Sequence, residues 1–342
     1  WVGASPTWGE FLGKCGLGGT IVDDVPITRS TMAKKPAPKN SQKKPQPPVA
    51  GRPAGLFTWI VVGTLVAVIA VLVVVKVSTG TSSTSPTGFQ AASPAVVAEL
   101  TGVPASVFDS VGVNSPAITI SKPNLATGQT MLTSKGADGV TRPTYFYLGS
   151  EYCPFCGAQR WPTIVALSRF GTWSGLGASH SAEAPEAFPN TPTFTFQKAT
   201  YTSSYINFKG VEEFTNIRST DGKTPYVPLM KLSKADVALV RKYDTATYIP
   251  GMPAQDSGSI PFISIGNQFL SAGSSITPDA LQGLSRSDIA AALSDPTNFL
   301  TQGIIAAANY QTAAICKVTG QQPAAVCTSS GVVAAKKALG LK

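Results

Sequence analysis

The hydrophobic positions of the chain form one long uninterrupted run and a series of shorter periodic segments. The run Leu56 to Val75, LFTWIVVGTLVAVIAVLVVV, has no charged residue over twenty positions, about what a helix needs to cross roughly 30 Å of hydrocarbon. A cleaved signal peptide is the competing interpretation, but the run is longer than a signal core and no A-x-A site directly follows it. The pattern predicts one transmembrane helix over residues 56–76.

The basic residues lie mainly before this run and predict its orientation. The net charge is +9, and residues 32–55 supply six positive charges and no negative ones, whereas residues 77–342 keep only +3. The positive-inside rule then leaves the N-terminus in the cytoplasm and the C-terminal domain outside a single-pass protein of the cell membrane. The net charge of +3 on residues 77–342 is small, and this removes the main support for a prediction of nucleic-acid binding.

The segments on either side of the predicted span have compositions that do not fold. Residues 1–55 are expected to be a disordered basic cytoplasmic tail, because 33–55 are rich in Lys, Pro and Gln. Residues 77–93, rich in Ser, Thr, Gly and Pro, are expected to be a flexible linker. Trp1 is not a start residue, whereas Met32 opens the basic run as a natural start would, so we expect residues 1–31 to lie outside the native protein.

Helix-like and strand-like patterns alternate over residues 94–342, which predicts an α/β domain. The strongest strand is Thr144 to Leu148, TYFYL, a β-branched and aromatic run between Pro143 and Gly149. Two apolar runs around Gly266-Asn267 predict a hairpin within 261–272. Helices are predicted over 94–112 with an interruption at Pro104, over 154–170, over 234–243 and over 277–314 with a break at Pro296, and further strands over 116–123, 194–201 and 205–208.

The motif Cys153-Pro154-Phe155-Cys156 lies between the buried strand and the following helix. A C-x-x-C pair on a first helical turn brings two sulfurs within bonding reach, and the helix N-terminus lowers the pKa of the first thiol. Pro154 suits that turn because its missing N–H would have no partner there. We expect Cys153 to be the exposed nucleophile and Cys156 to resolve the mixed disulfide.

Other uses of a C-x-x-C pair compete with this interpretation. A zinc site needs two further ligands, and only His180, Cys316 and Cys327 could supply them from the exported part. Covalent haem attachment needs His directly after the second cysteine, where Gly157 stands. A purely structural disulfide remains possible. No metal ion and no cofactor is expected.

The strand TYFYL, the CPFC motif, the following helix with Pro162 inside it and a later Ile260-Pro261 before FISIG together resemble the thioredoxin superfamily. The resemblance implies a thioredoxin-like fold, a central mixed sheet flanked by helices, here with helical additions. It also implies that Pro261 is a cis-proline facing the cysteine pair and that Ile260 contacts the substrate backbone. Phe155 is expected to add an apolar rim that receives unfolded polypeptide.

The longer run SEYCPFCGAQRWPTIVALSRFG, the N-terminal anchor and a C-terminal cysteine pair are similar to an actinobacterial and archaeal membrane-anchored family, domain of unknown function 929. The likeness covers roughly residues 94–335. It implies the fold and thiol chemistry, with no particular substrate.

Three further residues and one cysteine pair bear on the site. Cys316 and Cys327, around Gly320 and Pro323 in an oxidising compartment, are expected to form a structural disulfide, with a second, electron-relaying redox pair as the alternative. Glu151 either tunes the thiols or lies in solvent. Core packing is expected for Trp161 and a surface role for His180.

Two classes of function fit these features. The first is a membrane-anchored thiol-disulfide oxidoreductase, acting as oxidase, isomerase or reductase on exported cysteine-containing proteins and recycled by a membrane redox partner. The second is a non-catalytic accessory or scaffold subunit of a membrane complex that keeps the fold. The intact cysteine pair favours the first, since fold alone does not decide function.

Overall fold

The computed structural model describes residues 88–341, so the predicted tail, the predicted span and most of the predicted linker lie outside the described residues. Within that range no helix is long and apolar enough to cross a membrane. The helices are α1 (Pro94–Thr101), α2 (Ala105–Val111), α3 (Pro154–Ser168), α4 (Lys234–Tyr243), α5 (Arg286–Ala292), α6 (Phe299–Val318), α7 (Ala324–Cys327) and α8 (Ser330–Ala338). The strands are β1 (Asn124–Leu125), β2 (Thr133–Lys135), β3 (Thr141–Gly149), β4 (Gly171–Ser174), β5 (Gly177–His180), β6 (Pro192–Thr195), β7 (Thr200–Ser203), β8 (Asn207–Glu212), β9 (Phe214–Arg218), β10 (Tyr226–Pro228), β11 (Phe262–Ile265) and β12 (Phe269–Ala272).

The domain is mixed α/β, built around a six-stranded mixed sheet with β3 at its centre. The strands β1, β12, β11, β3 and β2 follow one another in that order, and β8 also pairs with β3. The β3–β8 pairing is parallel and the β3–β11 pairing antiparallel. Parallel neighbours require a crossover, which α3 and the two antiparallel pairs β4–β7 and β5–β6 supply here.

Both faces of the sheet are buried, and β3 alternates between them. Tyr145 and Tyr147 join a large apolar core on one face, whereas Phe146 and Leu148 join a smaller core on the other. Because both faces of this strand are buried, its sequence is a continuous apolar run and does not alternate between apolar and polar residues. The strand therefore carries its C-terminal end, and the CPFC motif after it, into the interior of the domain.

Helices α3 and α6 cover the face with the larger core, and α4 covers the other. Trp161 and Ile164 of α3 and Ile304 and Ile305 of α6 are each fully buried in the larger core. Helix α4 presents Val240 and Tyr243 to the smaller core. Because α6 is buried along nearly its whole length, it forms the centre of the helical layer.

The structure confirms several predicted elements with small boundary changes. The buried strand, the helix after CPFC and the hairpin at Gly266-Asn267 are present. The helix predicted over 234–243 has those bounds, and Ser233 and Asp236 form a capping box at its start. The helical region 277–314 is divided more widely than predicted, into a 3-10 turn, α5 and α6.

Three predicted strands are wrong in whole or in part. Residues 116–123 form no strand, since prolines at both ends of this segment remove backbone donors. The predicted strand 194–201 is two strands, β6 and β7, separated by a turn closed by the Ala199 N–H bond to the Phe196 carbonyl. The predicted strand 205–208 begins later and continues to Glu212.

The segment before α1 is attached to the domain. The Ala92 N–H donates to the Leu176 carbonyl, and Ala178 donates back to the Gln90 carbonyl. The ordered domain thus includes the last residues of the predicted linker.

The Cys316 and Cys327 side chains form a disulfide between the last turn of α6 and α7, with their Cα atoms 5.6 Å apart. Both cysteines are fully buried in the larger core, on a different helix from CPFC. The bridge fastens the C-terminal helices to α6, which agrees with the structural role expected for this pair.

Replacing both cysteines, Cys316→Ser with Cys327→Ser, is expected to lower the free energy of unfolding by about 2 to 3 kcal/mol, because the bridge closes a loop of eleven positions. Urea unfolding followed by tryptophan fluorescence measures the loss. The control is Cys15→Ser, which replaces the one cysteine of the sequence outside the described residues and leaves this bridge intact. Equal midpoints for the double variant and the control would contradict a stabilising role for the bridge.

Candidate active site

Cys153 caps the N-terminus of α3. Its sulfur accepts a hydrogen bond from the Cys156 N–H at 3.5 Å, and Pro154 occupies the first turn. The Gly157 N–H donates to the Cys153 carbonyl. One backbone donor, the Cys156 N–H, thus meets the Cys153 sulfur at the positive end of the helix dipole, and both stabilise negative charge on that atom.

Cys156 lies one turn further into the helix and is fully buried. Burial raises the pKa of the Cys156 thiol well above its ordinary value, and its hydrogen bond with Cys153 raises it further. The two cysteines are in the dithiol form, and at neutral pH Cys156 holds its proton.

The opposite wall of the site is the start of β11. The Cys153 thiol donates to the Ile260 carbonyl at a sulfur to oxygen distance of 3.8 Å. The Ile260–Pro261 peptide bond is cis, as the resemblance implied. Phe262, the next residue, pairs with Leu148 near the end of β3, and this register brings Ile260 against the cysteine although they are 107 positions apart.

Cys153 is buried, with none of its surface exposed, so the expectation of an exposed nucleophile is wrong. It belongs to an apolar cluster with Tyr152, Phe214 and Tyr226, against which Ile260 also packs. The Tyr152 and Tyr226 rings stack with centroids 4.2 Å apart and planes 5° from parallel. Since Phe214 and Tyr226 come from β9 and β10, this hairpin forms part of the enclosure.

The hairpin β9–β10 is joined to the loop that precedes β6. The Tyr226 hydroxyl donates to Glu186 Oε2 at 2.7 Å, and Arg218 lies 3.6 Å from the same oxygen. The Arg218 guanidinium also lies 4.7 Å from the Tyr226 ring centroid. These contacts hold the tyrosine in place, so a second molecule can reach the Cys153 sulfur only when the enclosure opens.

Phe155, between the two cysteines, is half-buried and meets Phe188 edge to face at 5.9 Å. It also lines a groove of about 540 Å³ beside Ile260, which the loops 249–253 and 271–277 complete. Phe155, predicted as a rim residue, is therefore brought together with Ile260 in one groove. Pro261 itself is buried.

Acidic residues follow the ends of β3 and β8. Glu151 is buried, and that burial raises its pKa, so of the two alternatives for this residue the solvated one is wrong. Burial raises the pKa of Glu213 to about 7. Glu212 is fully buried and forms an ion pair with Arg160 of α3.

Sequence reasoning missed Glu212, Arg160, Tyr226 and Glu186. Only Arg160 carries a local signal, a charged residue among the apolar positions of a buried helix. The other three reach the site through pairings between distant parts of the chain or from loops. Trp161 packs in the core as expected, donating from its indole to the Pro192 carbonyl, and His180 is half-buried on β5.

Two of the three residues that could complete a zinc site are not available as ligands. Cys316 and Cys327 are bonded to each other, which removes them from the thiolates that a site at Cys153 and Cys156 would need. In residues 88–341 no three His, Cys, Asp or Glu side chains are grouped so that they could hold a metal ion.

The fold and the site define a class: a mixed α/β domain that carries a dithiol on the first turn of a helix beside its central strand. The pattern of the family described as Domain of unknown function (DUF929) matches residues 130–317, more than half of the chain, and the chain belongs to that family. No curated protein and no solved structure matches it.

Tyr226→Ala is expected to speed alkylation of Cys153 by iodoacetamide about two- to tenfold, because it removes a stacked ring pair worth about 0.5 to 1.5 kcal/mol. Quenched alkylation followed by mass spectrometry of the peptide measures the rate at this cysteine. Tyr205→Ala removes a half-buried tyrosine outside the cluster and is the matched control. The same rate in both variants would show that the stack does not restrict access.

Proposed function

We propose that this protein is a thiol-disulfide oxidoreductase with a thioredoxin-like fold, anchored in the cell membrane with its catalytic domain outside. The observation that carries the proposal is the position of two thiols on one helical turn, with the Cys153 sulfur at the helix N-terminus and 3.8 Å from the Ile260 carbonyl.

The arrangement of the core supports the thioredoxin-like part of the proposal. β8, β3, β11 and β12 are successive neighbours, with β8 parallel to β3 and the other two pairs antiparallel. α3 lies on one face and α4 on the other. The cysteine motif follows the central strand, and the proline lies at the start of the next antiparallel strand, as the resemblance requires.

The chemistry assigned to the pair is exchange. The Cys153 thiolate attacks a client disulfide, forms a mixed disulfide and releases one client sulfur as a thiolate. Cys156, after losing its proton, attacks Cys153, so that the internal disulfide forms and the second client sulfur leaves. The client gains two electrons and the pair loses them; the reverse sequence oxidises the client. The raised pKa of Cys156 fits a thiol that reacts only in the second step, after the mixed disulfide has formed.

The location and partners of the proposed enzyme follow from the sequence. The apolar run 56–76 and the basic residues before it support the membrane anchor and its orientation. An oxidising exterior supplies cysteine-containing exported proteins as clients. A membrane redox partner is required because each turnover leaves the pair in the other oxidation state.

A specific observation favours the second candidate, a non-catalytic accessory subunit of a membrane complex. Cys153 is fully buried under the aromatic cluster, whereas a client disulfide needs access to its sulfur. The two candidates differ in whether the pair exchanges with a disulfide at all.

The exchange test uses the full chain purified in detergent. Cys153→Ser is expected to abolish insulin reduction, because the attacking sulfur is lost, and Cys156→Ser is expected to accumulate mixed disulfides, because the releasing sulfur is lost. Non-reducing electrophoresis and turbidity measure the two outcomes. Activity that survives Cys153→Ser, or a wild-type chain that never exchanges, would favour the accessory subunit.

The membrane orientation is tested with single introduced cysteines. Asp138, exposed in a turn, is replaced in Asp138→Cys, and a maleimide that cannot cross membranes is expected to label it in intact cells. Ser41→Cys in the basic segment is the control and is expected to react only after lysis. The opposite pattern would reverse the orientation and remove the oxidising compartment from the proposal.

A further inference from the structure

A fully buried ion pair lies behind the cysteine motif. Arg160 binds Glu212 through two hydrogen bonds, Nε to Oε1 at 2.8 Å and Nη2 to Oε2 at 2.6 Å, and neither side chain has any exposed surface. The Arg160 Nη2 also donates to the Ser150 carbonyl at 2.8 Å. Desolvating two charges is expensive, and a buried pair often stabilises a protein less than apolar residues of the same volume would. Stability alone is therefore a weak reason for this pair to lie here.

The pair lies close enough to the resolving cysteine for its charges to act on that thiol. Arg160 is one turn after Cys156 on α3, and long helical side chains point back toward the N-terminus. Its guanidinium lies 5.9 Å from the centroid of the Tyr147 ring, whose hydroxyl donates to the Cys156 carbonyl at 3.5 Å. Arg160 Nη1 is buried and has no hydrogen-bond partner in the described part of the chain, so this donor is not committed to Glu212.

Charged and titratable groups act on Cys156 from several elements. They include Cys153 and Arg160 from its own helix, Tyr147 from β3 and Glu212 from β8. The buried Glu151, after β3, interacts with both members of the ion pair, and Tyr152 and Tyr226 belong to the same apolar cluster as the cysteines. The guanidinium is the one cation among these groups, and Glu212 limits the effect of its charge. Since Cys156 is desolvated, such a fixed charge acts more strongly on it than it would on an exposed thiol.

We propose that the Arg160–Glu212 pair is a positioning element that holds a guanidinium behind Cys156 and so sets how readily this thiol ionises to resolve the mixed disulfide. The inference rests on the proposed function, because it concerns the second step of exchange. In that step Cys156 loses its proton to solvent, its sulfur bonds to Cys153, and the Cys153–client bond breaks with the electron pair leaving on the client sulfur. The guanidinium stabilises the Cys156 thiolate before the new bond forms. It neither gains nor loses a proton.

The first measurement is the titration of Cys156 alone, in the full chain carrying Cys15→Ser and Cys153→Ser. Glu212→Gln removes the anion and keeps the shape, so the pKa of Cys156 is expected to fall, and each fall by one pH unit gives about tenfold more thiolate at neutral pH. Arg160→Met with Glu212→Gln removes both charges and is expected to raise the pKa of Cys156 above that in the parent chain. The pH dependence of alkylation and of thiolate absorbance measures both changes.

The double variant also guards against unfolding. Removing one charge alone, in Arg160→Met or in Glu212→Gln, leaves its partner buried without a counter-charge, whereas removing both charges is often neutral for stability. Arg169→Met is the matched control, since Arg169 is the arginine at the C-terminal end of the same helix, bonded to Asn309 and Ser329. It is expected to leave the titration of Cys156 unchanged. Near-ultraviolet circular dichroism checks that each variant is folded.

The second measurement is the resolution of a mixed disulfide between Cys153 and thionitrobenzoate in chains with both active-site cysteines. If Glu212→Gln lowers the pKa of Cys156 by one, resolution is expected to be only about threefold faster, because a less basic thiolate is a weaker nucleophile. The double variant is expected to be slower than the wild-type chain.

The outcomes separate this inference from the proposed function. Folded Glu212→Gln and double variants that titrate like the parent chain would overturn the inference and leave the ion pair as a structural contact. Titration changes of the expected sign in a protein that never resolves a mixed disulfide would refute the oxidoreductase function instead, and with it the role of the pair in exchange.

Discussion

The burial of β3 on both faces is the constraint on which the rest of the domain depends. A strand whose residues alternate between two apolar cores needs helices on both sides, and α3 with α6 on one face and α4 on the other meet that need. Because β3 is central, the chain leaves it inside the molecule, and the first turn of α3 has to begin there. The depth of Cys156 follows from this position of the strand, and Phe214 and Tyr226 of the β9–β10 hairpin complete the burial of Cys153.

That depth has two opposing effects on the chemistry. It excludes water from the thiols, which strengthens hydrogen bonds and fixed charges near them, and it closes the path to a client. Two interactions lie next to the thiols. The buried Arg160–Glu212 ion pair lies behind the cysteines, and the stacked Tyr152 and Tyr226 rings belong to the apolar cluster around them. The groove at Phe155 and Ile260 lies beside this enclosure, because both residues also pack against the cluster around Cys153.

The parts of this arrangement that could be predicted from the sequence are local. The apolar run of β3, the helix after CPFC and the Gly266-Asn267 hairpin depend on neighbouring residues, and the structure contains all three. The failures come from contacts made far along the chain. Tyr226 and Glu186 meet across 40 positions and Arg160 and Glu212 across 52, and no periodicity relates such partners. The expected exposure of Cys153 failed for the same reason, because the covering residues arrive from a hairpin that carried no local signal.

The position of α6 decides where the folding unit ends. This helix packs against α3 on one side and against α2 and α8 on others, and its last turn is tied to α7 by the disulfide. The segment matched by the family, residues 130–317, stops within α6 and leaves out α1, α2, α7 and α8. A fragment cut to those limits would expose the buried sides of α6 and lose one partner of the bridge. The unit that packs together is therefore larger than the stretch matched by the family.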